Sequence, residues 1–189
     1  MINLKTFLNQ IHQVDDDILN KYLEYWQEYH LPKKTTMTAP GEMEKHWYFV
    51  TKGVQKSFYL TGDKTHVIAF TYNPSFSGIP ESFFQQKPSK YYLETITESS
   101  FLRIPFQKHQ ELMQEYRPIE TLFRVAIEKI LFGLLDRYYE LMALDIETRF
   151  KNFTARSPHL LQMVSQKDLA SYLRIDPTNF SKLMNSVRI

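Results

Sequence analysis

Residues 33–105 set the first limit on the fold. Thr, Tyr, Phe, Val and Ile dominate this stretch, and turn residues break it at short intervals. HWYFVT at 46–51 reads as a strand, Lys52-Gly53 as a turn and 54–60 as a second strand. Thr61-Gly62-Asp63 makes another turn before a strand at 64–70, and strands at 91–97 and 100–104 close the set. Several short strands at regular spacing predict an antiparallel sandwich or barrel-like roll. Asn73-Pro74 and Gly78-Ile79-Pro80 interrupt the pattern. The connection 78–89 is long for a hairpin, holds a predicted short helix at 81–86, and is the kind of segment in which ligand sites tend to lie.

Helical patterns flank the strands. Phe7, Leu8 and Ile11 form a first stripe. Asp15, Asp16 and Asp17 load the positive dipole end of a second helix, which Ile18, Leu19, Tyr22, Leu23 and Trp26 continue at helical spacing. The expectation is helix over 4–30, ended by Pro32. Residues 118–144 give the longest helical signal. Phe123, Ala126, Ile130, Leu134, Tyr138 and Leu141 advance by three or four, and Leu122, Ile127, Leu131, Leu135 and Met142 run beside them. Two apolar rows exceed what a surface helix needs. One row is assigned to the helix's own body. The other, with Phe123, Ala126, Ile130, Leu134 and Leu141, is assigned to a second copy of the chain, since a repeat near 3.5 residues suits a coiled-coil contact; a helix buried on both sides within one chain has the same pattern.

Asp145 reads as the N-cap of a helix over 146–155, which Ser157-Pro158 ends. Two short helices joined by a tight turn follow at 164–184. Ser165 caps the first, whose Leu169, Ala170 and Leu173 make one stripe; Asp176-Pro177 starts the second, with Phe180, Leu183 and Met184 inward. Thr178, Asn179, Ser181 and Lys182 are left facing outward, as on a helix that enters a DNA major groove N-terminus first. A helical hairpin with no DNA role has the same pattern. The turn residue Arg174 stands where glycine is common, and carries modest strain if left-handed.

Composition narrows the chemistry. None of the 189 residues is cysteine, which excludes disulfides, thiolate zinc sites and cysteine nucleophiles. No apolar run approaches membrane-spanning length and no signal pattern starts the chain, so a soluble cytoplasmic protein is expected. Residues 145–189 carry seven Lys/Arg against four acids, a basic module on a body of near-zero charge, which suits a polyanionic partner. The six histidines show no paired metal spacing; His46 and His66, within the strand region, are the two worth testing as haem ligands. No nucleophile elbow, phosphate loop or zinc-protease motif is present, Glu42 and Glu44 read as loop surface, and no catalytic role is expected.

The order of parts, with YFVTKG at 48–53, PSKYYLETITESSFLRI at 88–104 and VSQKDLASYLRIDPTNFSKL at 164–183, resembles the Crp/Fnr family of bacterial transcription regulators over nearly the whole chain. The resemblance implies an α+β fold. Its parts are a cyclic-nucleotide-binding-like β-roll (a double-stranded β-helix or jelly roll) in 1–117, a dimerisation helix in 118–144 and a winged-helix-like helix-turn-helix in 145–189 that stops without a β-wing. Its implied partners are double-stranded DNA, a second copy, RNA polymerase and a small-molecule effector. Ser165, Gln166 and Lys167 fall near DNA phosphates, and Thr178, Asn179, Ser181 and Lys182 face the groove. Family members that bind cyclic AMP keep a Gly-Glu pair and an arginine eleven positions after the glycine. With Gly78 as that glycine, Ile79 and Ser89 stand in those places, so tight cyclic AMP binding is not expected. Gly78, Glu81, Ser82, Ser89 and Tyr91 either line a pocket for another ligand or fill it. The competing function is a ligand-binding or interaction module that has lost DNA binding.

Overall fold

The computed structural model describes residues 2–186. Arg188, counted above in the basic module, lies outside the described residues. Two helices, α1 (Leu4–Ile11) and α2 (Asp16–Leu23), precede the strands β1 (Gln27–Leu31), β2 (Thr36–Thr38), β3 (His46–Lys52), β4 (Val54–Thr61), β5 (Lys64–Tyr72) and β6 (Ser75–Ser77). The helix α3 (Pro80–Gln85), strands β7 (Tyr92–Thr95) and β8 (Ser99–Pro105), and helices α4 (Phe106–Glu115) and α5 (Arg117–Ala143) follow. The chain continues through α6 (Ile146–Arg156), α7 (Leu160–Met163), α8 (Gln166–Leu173) and α9 (Pro177–Ser186). The strands form an eight-stranded β-roll of two sheets, ordered β1-β8-β3-β6 and β2-β7-β4-β5.

The expected helix over 4–30 is corrected. His12 and Glu24 are C-caps, and Gln27–Leu31 is a strand paired antiparallel with β8, Gln27 opposite Arg103 and Leu31 opposite Ser99. Residues 106–115, given no element above, form α4, and the short strands β2 and β6 were likewise not anticipated. The helix starts obey local chemistry. Asn3, Asp15, Asp145 and Ser165 each accept a hydrogen bond from a backbone amide two or three residues on.

The chain divides into two compact units, Met1–Ser57 with Phe70–Ile130, and Phe58–Ala69 with Leu131–Ile189. In the first unit, β3 is buried on both faces because its side chains alternate. Trp47 and Phe49 pack with Phe76, Ile104, Leu8, Tyr22, Leu122 and Phe123, so this face of the sheet lies under α1, α2, α4 and α5. Tyr48 and Val50 point the other way, against Phe101, Tyr29, Leu31 and Met37. Each such fully buried side chain stabilises the fold by about 1.5–3 kcal/mol.

Helix α5 spans 27 residues, about 40 Å at 1.5 Å per residue. Its apolar surplus is divided along its length, not around it. Ile119, Leu122, Phe123 and Ala126 are buried in the first unit's core and Ile130 is partly covered by it. Leu131, Leu135, Tyr138 and Met142 are 50, 54, 63 and 71% exposed. Phe123 and Ala126, assigned above to a partner seam, are therefore unavailable for it: the chain's own core covers them. Leu134 is exposed and Leu141 half-buried.

Candidate nucleic-acid interface

The second unit is built around Phe150, Phe153, Leu160, Val164, Leu169, Leu173, Ile175 and Phe180, all buried. Phe180, the inward residue of α9, meets Phe150 edge-on at 5.6 Å between ring centres, which fixes the rotation of α9 about its axis. The starts of both helices are capped. Ser165 Oγ accepts from the Asp168 amide at 3.1 Å, and Asp176 Oδ1 accepts from the Thr178 amide at 2.9 Å. All seven residues expected to face DNA are exposed: Ser165, Gln166 and Lys167 at the start of α8, and Thr178, Asn179, Ser181 and Lys182 on α9. Among the described residues, neither Lys167 nor Lys182 pairs with a carboxylate, so both are available to an external anion.

The turn between the two helices is held by three arginines. Arg174 is left-handed, φ 55 and ψ 42, so the strain that the sequence made conditional on that conformation is present. The buried Arg149 donates to its carbonyl at 3.4 Å and to that of Leu141 at 3.1 Å. Arg137 stacks on the Tyr172 ring at 3.5 Å and donates to the carbonyls of Tyr172 and Ile68. Ser171 on α8 treats the edge of β5 as a strand would: its Oγ accepts from the Val67 amide at 3.0 Å and donates to the Thr65 carbonyl at 2.9 Å. Left-handed backbone costs a side-chain-bearing residue about 1–2 kcal/mol. Arg174→Gly is therefore expected to stabilise the second unit by about 1 kcal/mol net of glycine's larger unfolded-state entropy, read as a shift in its urea midpoint; a loss of stability would mean that the 3.5 Å contact of Arg174 with His66 matters more than the strain.

The effector residues expected from the sequence sit in the first unit and are bonded to one another and to the neighbouring loop. Gly78 has φ +147, and a Cβ there would lie 2.9 Å from the Trp47 ring, so close packing alone requires glycine. Ser82 Oγ accepts from the Glu44 amide at 2.9 Å and donates to the Lys87 carbonyl at 2.6 Å. Ser89 Oγ donates to the Tyr91 carbonyl and accepts from the Tyr91 amide, while the Ser89 backbone bonds Gly41 and Glu42. Glu81 lies at the surface beside Lys90, Oε1 to Nζ 3.4 Å.

One cavity of this unit lies apart from these residues. About 430 Å³ in volume, it is lined from β1, β2, β3, β8 and the loop before β3 by residues that include Tyr29, Glu44, His46, Tyr48 and Arg103. Glu44 is not loop surface, as the sequence suggested, but 1% exposed, accepting from Thr38 Oγ1 at 2.8 Å. Burial pushes its carboxyl up to about 7, against the pull of Thr38 and the amides of Ile79, His46 and Lys45. His46 is pushed down to about 4 by burial and by the charges of Arg103 and Lys45. His66 stacks on Tyr59 at 4.7 Å, and no group of three or more metal-binding side chains occurs among the described residues.

Residues 28–116 match the family model of the cyclic nucleotide-binding domain. No curated protein matches the sequence. Among solved structures, the chain is similar to the c-di-GMP responsive global regulator CLP of Xanthomonas campestris, at 19% identity and TM-score 0.67 over 90% of each chain. It is similar to FixK2 of Bradyrhizobium japonicum at 16% identity and TM-score 0.73, covering 85% of this chain and 83% of that one. The Thermus thermophilus catabolite activator protein is similar at 14% identity and TM-score 0.58, with 93% and 84% covered. These are regulators of the Crp/Fnr family, and the chain has their fold. No helix among the described residues is long and apolar enough to cross a membrane.

Proposed function

We propose that the chain is a dimeric, DNA-binding transcription regulator of the Crp/Fnr type, whose first unit lacks the groups that hold cyclic AMP in that family. The observation that carries this reading is the exposed face of α8 and α9. Seven polar or cationic side chains stand clear of the unit while Phe180, Leu169 and Leu173 anchor the helices beneath them. Such a face reads a major groove with the first turns of α9, Asn179 offering a bidentate contact to adenine and Lys182 serving guanine or a phosphate. Two copies would place their α9 helices about 34 Å apart on successive major grooves. Ile79 cannot accept a hydrogen bond from a ribose and Ser89 brings no charge to a phosphate, so the effector, if the dimer needs one, is of another kind.

The test is fluorescence anisotropy on DNA from upstream of the protein's own gene and on operators selected from a random library, across a salt series. A steep loss of affinity with salt is expected, because phosphate contacts release counterions. Asn179→Ala with Lys182→Ala should weaken the selected site at least about 30-fold, at roughly 1–3 kcal/mol for each of the two contacts, without changing the melting temperature, since both side chains are exposed. A flat salt response together with a failed selection would favour the module that has lost DNA binding.

A further inference from the structure

The cavity lined from β1, β2, β3 and β8 is chemically distinct from the 78–91 segment and is unused by the reading above. Its wall carries one permanent cation. Arg103 projects from β8, half-buried, with its guanidinium 3.8 Å over the Tyr29 ring and in contact with the Tyr48 hydroxyl. Among the described residues no carboxylate pairs with it, and its Nε–H is buried without an acceptor. A buried charged donor lacking a partner is costly, and a guanidinium is suited to bidentate capture of a planar or tetrahedral oxyanion. The other groups around it do not supply that anion. Glu42 turns its carboxylate to the Ala39 amide at 2.8 Å, and Glu44 is tied to Thr38 and to backbone amides. Lys45 adds a second positive charge at the rim, and His46 stands beside it as a neutral imidazole. Two tyrosine faces and Met37 offer an apolar bed for the rest of a ligand. The volume, about 430 Å³, falls within the range of small-molecule sites.

We propose that this cavity is a binding site for a small organic oxyanion, a carboxylate or phosphate monoester with a flat apolar body, whose charged end is held by Arg103 and whose body lies on Tyr29 and Tyr48. The site joins the loop before β3 to the 78–80 segment through Glu44, whose carboxyl accepts from the Ile79 amide. A ligand there is therefore placed to act on the 78–80 segment through Glu44. The charged and titratable groups around the cavity are Tyr29, Glu42, Glu44, Lys45, His46, Tyr48 and Arg103, and burial raises the Glu44 carboxyl to about 7, so that it gains its charge as the pH rises through neutrality. Its ionisation puts a negative charge at the floor, so the affinity for an oxyanion is greater at pH 6 than at pH 8.

The test is an NMR titration of the full-length protein with benzoate and, separately, phenyl phosphate, following the Arg103 Nε–H signal, with benzyl alcohol as the uncharged control. The expected result is a saturable shift of that signal with one or both anions and none with the alcohol; for benzoate, whose charge is constant over this range, binding is at least threefold tighter at pH 6 than at pH 8. Which anion binds decides between the two headgroups. Arg103→Met should weaken binding at least tenfold, and Tyr29→Leu, which keeps the charge, should weaken it several-fold. Absence of a saturable shift in the wild-type protein overturns the proposal whatever the variants do, as does equal binding of benzyl alcohol.

Discussion

With Leu135→Glu and Tyr138→Glu on α5, the protein is expected to sediment as a monomer, to keep its circular dichroism spectrum, and to bind a palindromic operator roughly 10²–10⁴-fold more weakly. Leu131, Leu135, Tyr138 and Met142 step by four, three and four residues, the a/d spacing of a coiled-coil seam, and all four are at least half exposed. A run of bare apolar side chains of this size on a monomer marks an interaction surface. Two buried carboxylates there would oppose their own copies across a two-fold axis, and the cost of burying them unpaired exceeds what the remaining contacts return. The operator loses affinity because each α9 then binds its half-site alone, without the effective concentration that the second copy supplies. Phe123→Glu on the same helix should act differently. It places a charge in the first unit's core, where Phe123 lies 4.4 Å from the His109 ring, and should unfold that unit instead of separating two folded copies. A dimer that survives both glutamates would remove α5 from the interface.

This contrast also shows what periodicity reveals. Spacing alone identified α5 as a helix with twice the apolar surface it needs, and that was sound. It could not tell that the surplus is divided end to end, because Phe123 and Leu135 are equivalent in sequence and differ only in what lies across from them. The exposed polar side of α8 and α9 was legible for the opposite reason: Ser165, Asp176, Pro177 and Phe180 act on residues within one or two turns. β1 was misread because Tyr22 and Trp26 continue a helical stripe, while the strand's partner is some 70 residues away on β8. The oxyanion cavity was illegible for the same reason. Its residues come from four strands and a loop, and Glu44 looks like surface until Thr38 and Ile79 close over it. α4 escaped because its inward residues include His109, a polar side chain in an apolar position.

That histidine sets the acid limb of the first unit's stability. His109 is fully buried among Phe83, Phe84, Tyr22 and Phe123, its Nδ1 shares a hydrogen bond with the Tyr22 hydroxyl at 2.9 Å, and its Nε2 has no partner among the described residues. Burial holds it down to about 4, against 6.5 when exposed. The unfolded chain therefore takes up the proton first, and stability that is complete above pH 6.5 is lost as the pH falls through 4. The 2.5-unit difference corresponds to about 3 kcal/mol at most. Glu44 works in the opposite sense. Its folded value near 7 lies above the free 4.5, so its contribution is complete below 4.5 and lost as the pH rises through 7. The two slopes oppose each other between 4.5 and 6.5, and the wild-type curve alone would not separate them. Tyr22→Phe with His109→Phe removes the imidazole without leaving the hydroxyl orphaned, and leaves Glu44 in place. Relative to wild type, this pair should gain up to about 3 kcal/mol on going from pH 7.5 to pH 4, read from urea unfolding followed by the fluorescence of Trp26 and Trp47, both buried in the first unit. A difference between the two proteins that does not change with pH would mean that His109 takes up its proton at the same pH in the folded and unfolded states, and that burial does not hold it neutral.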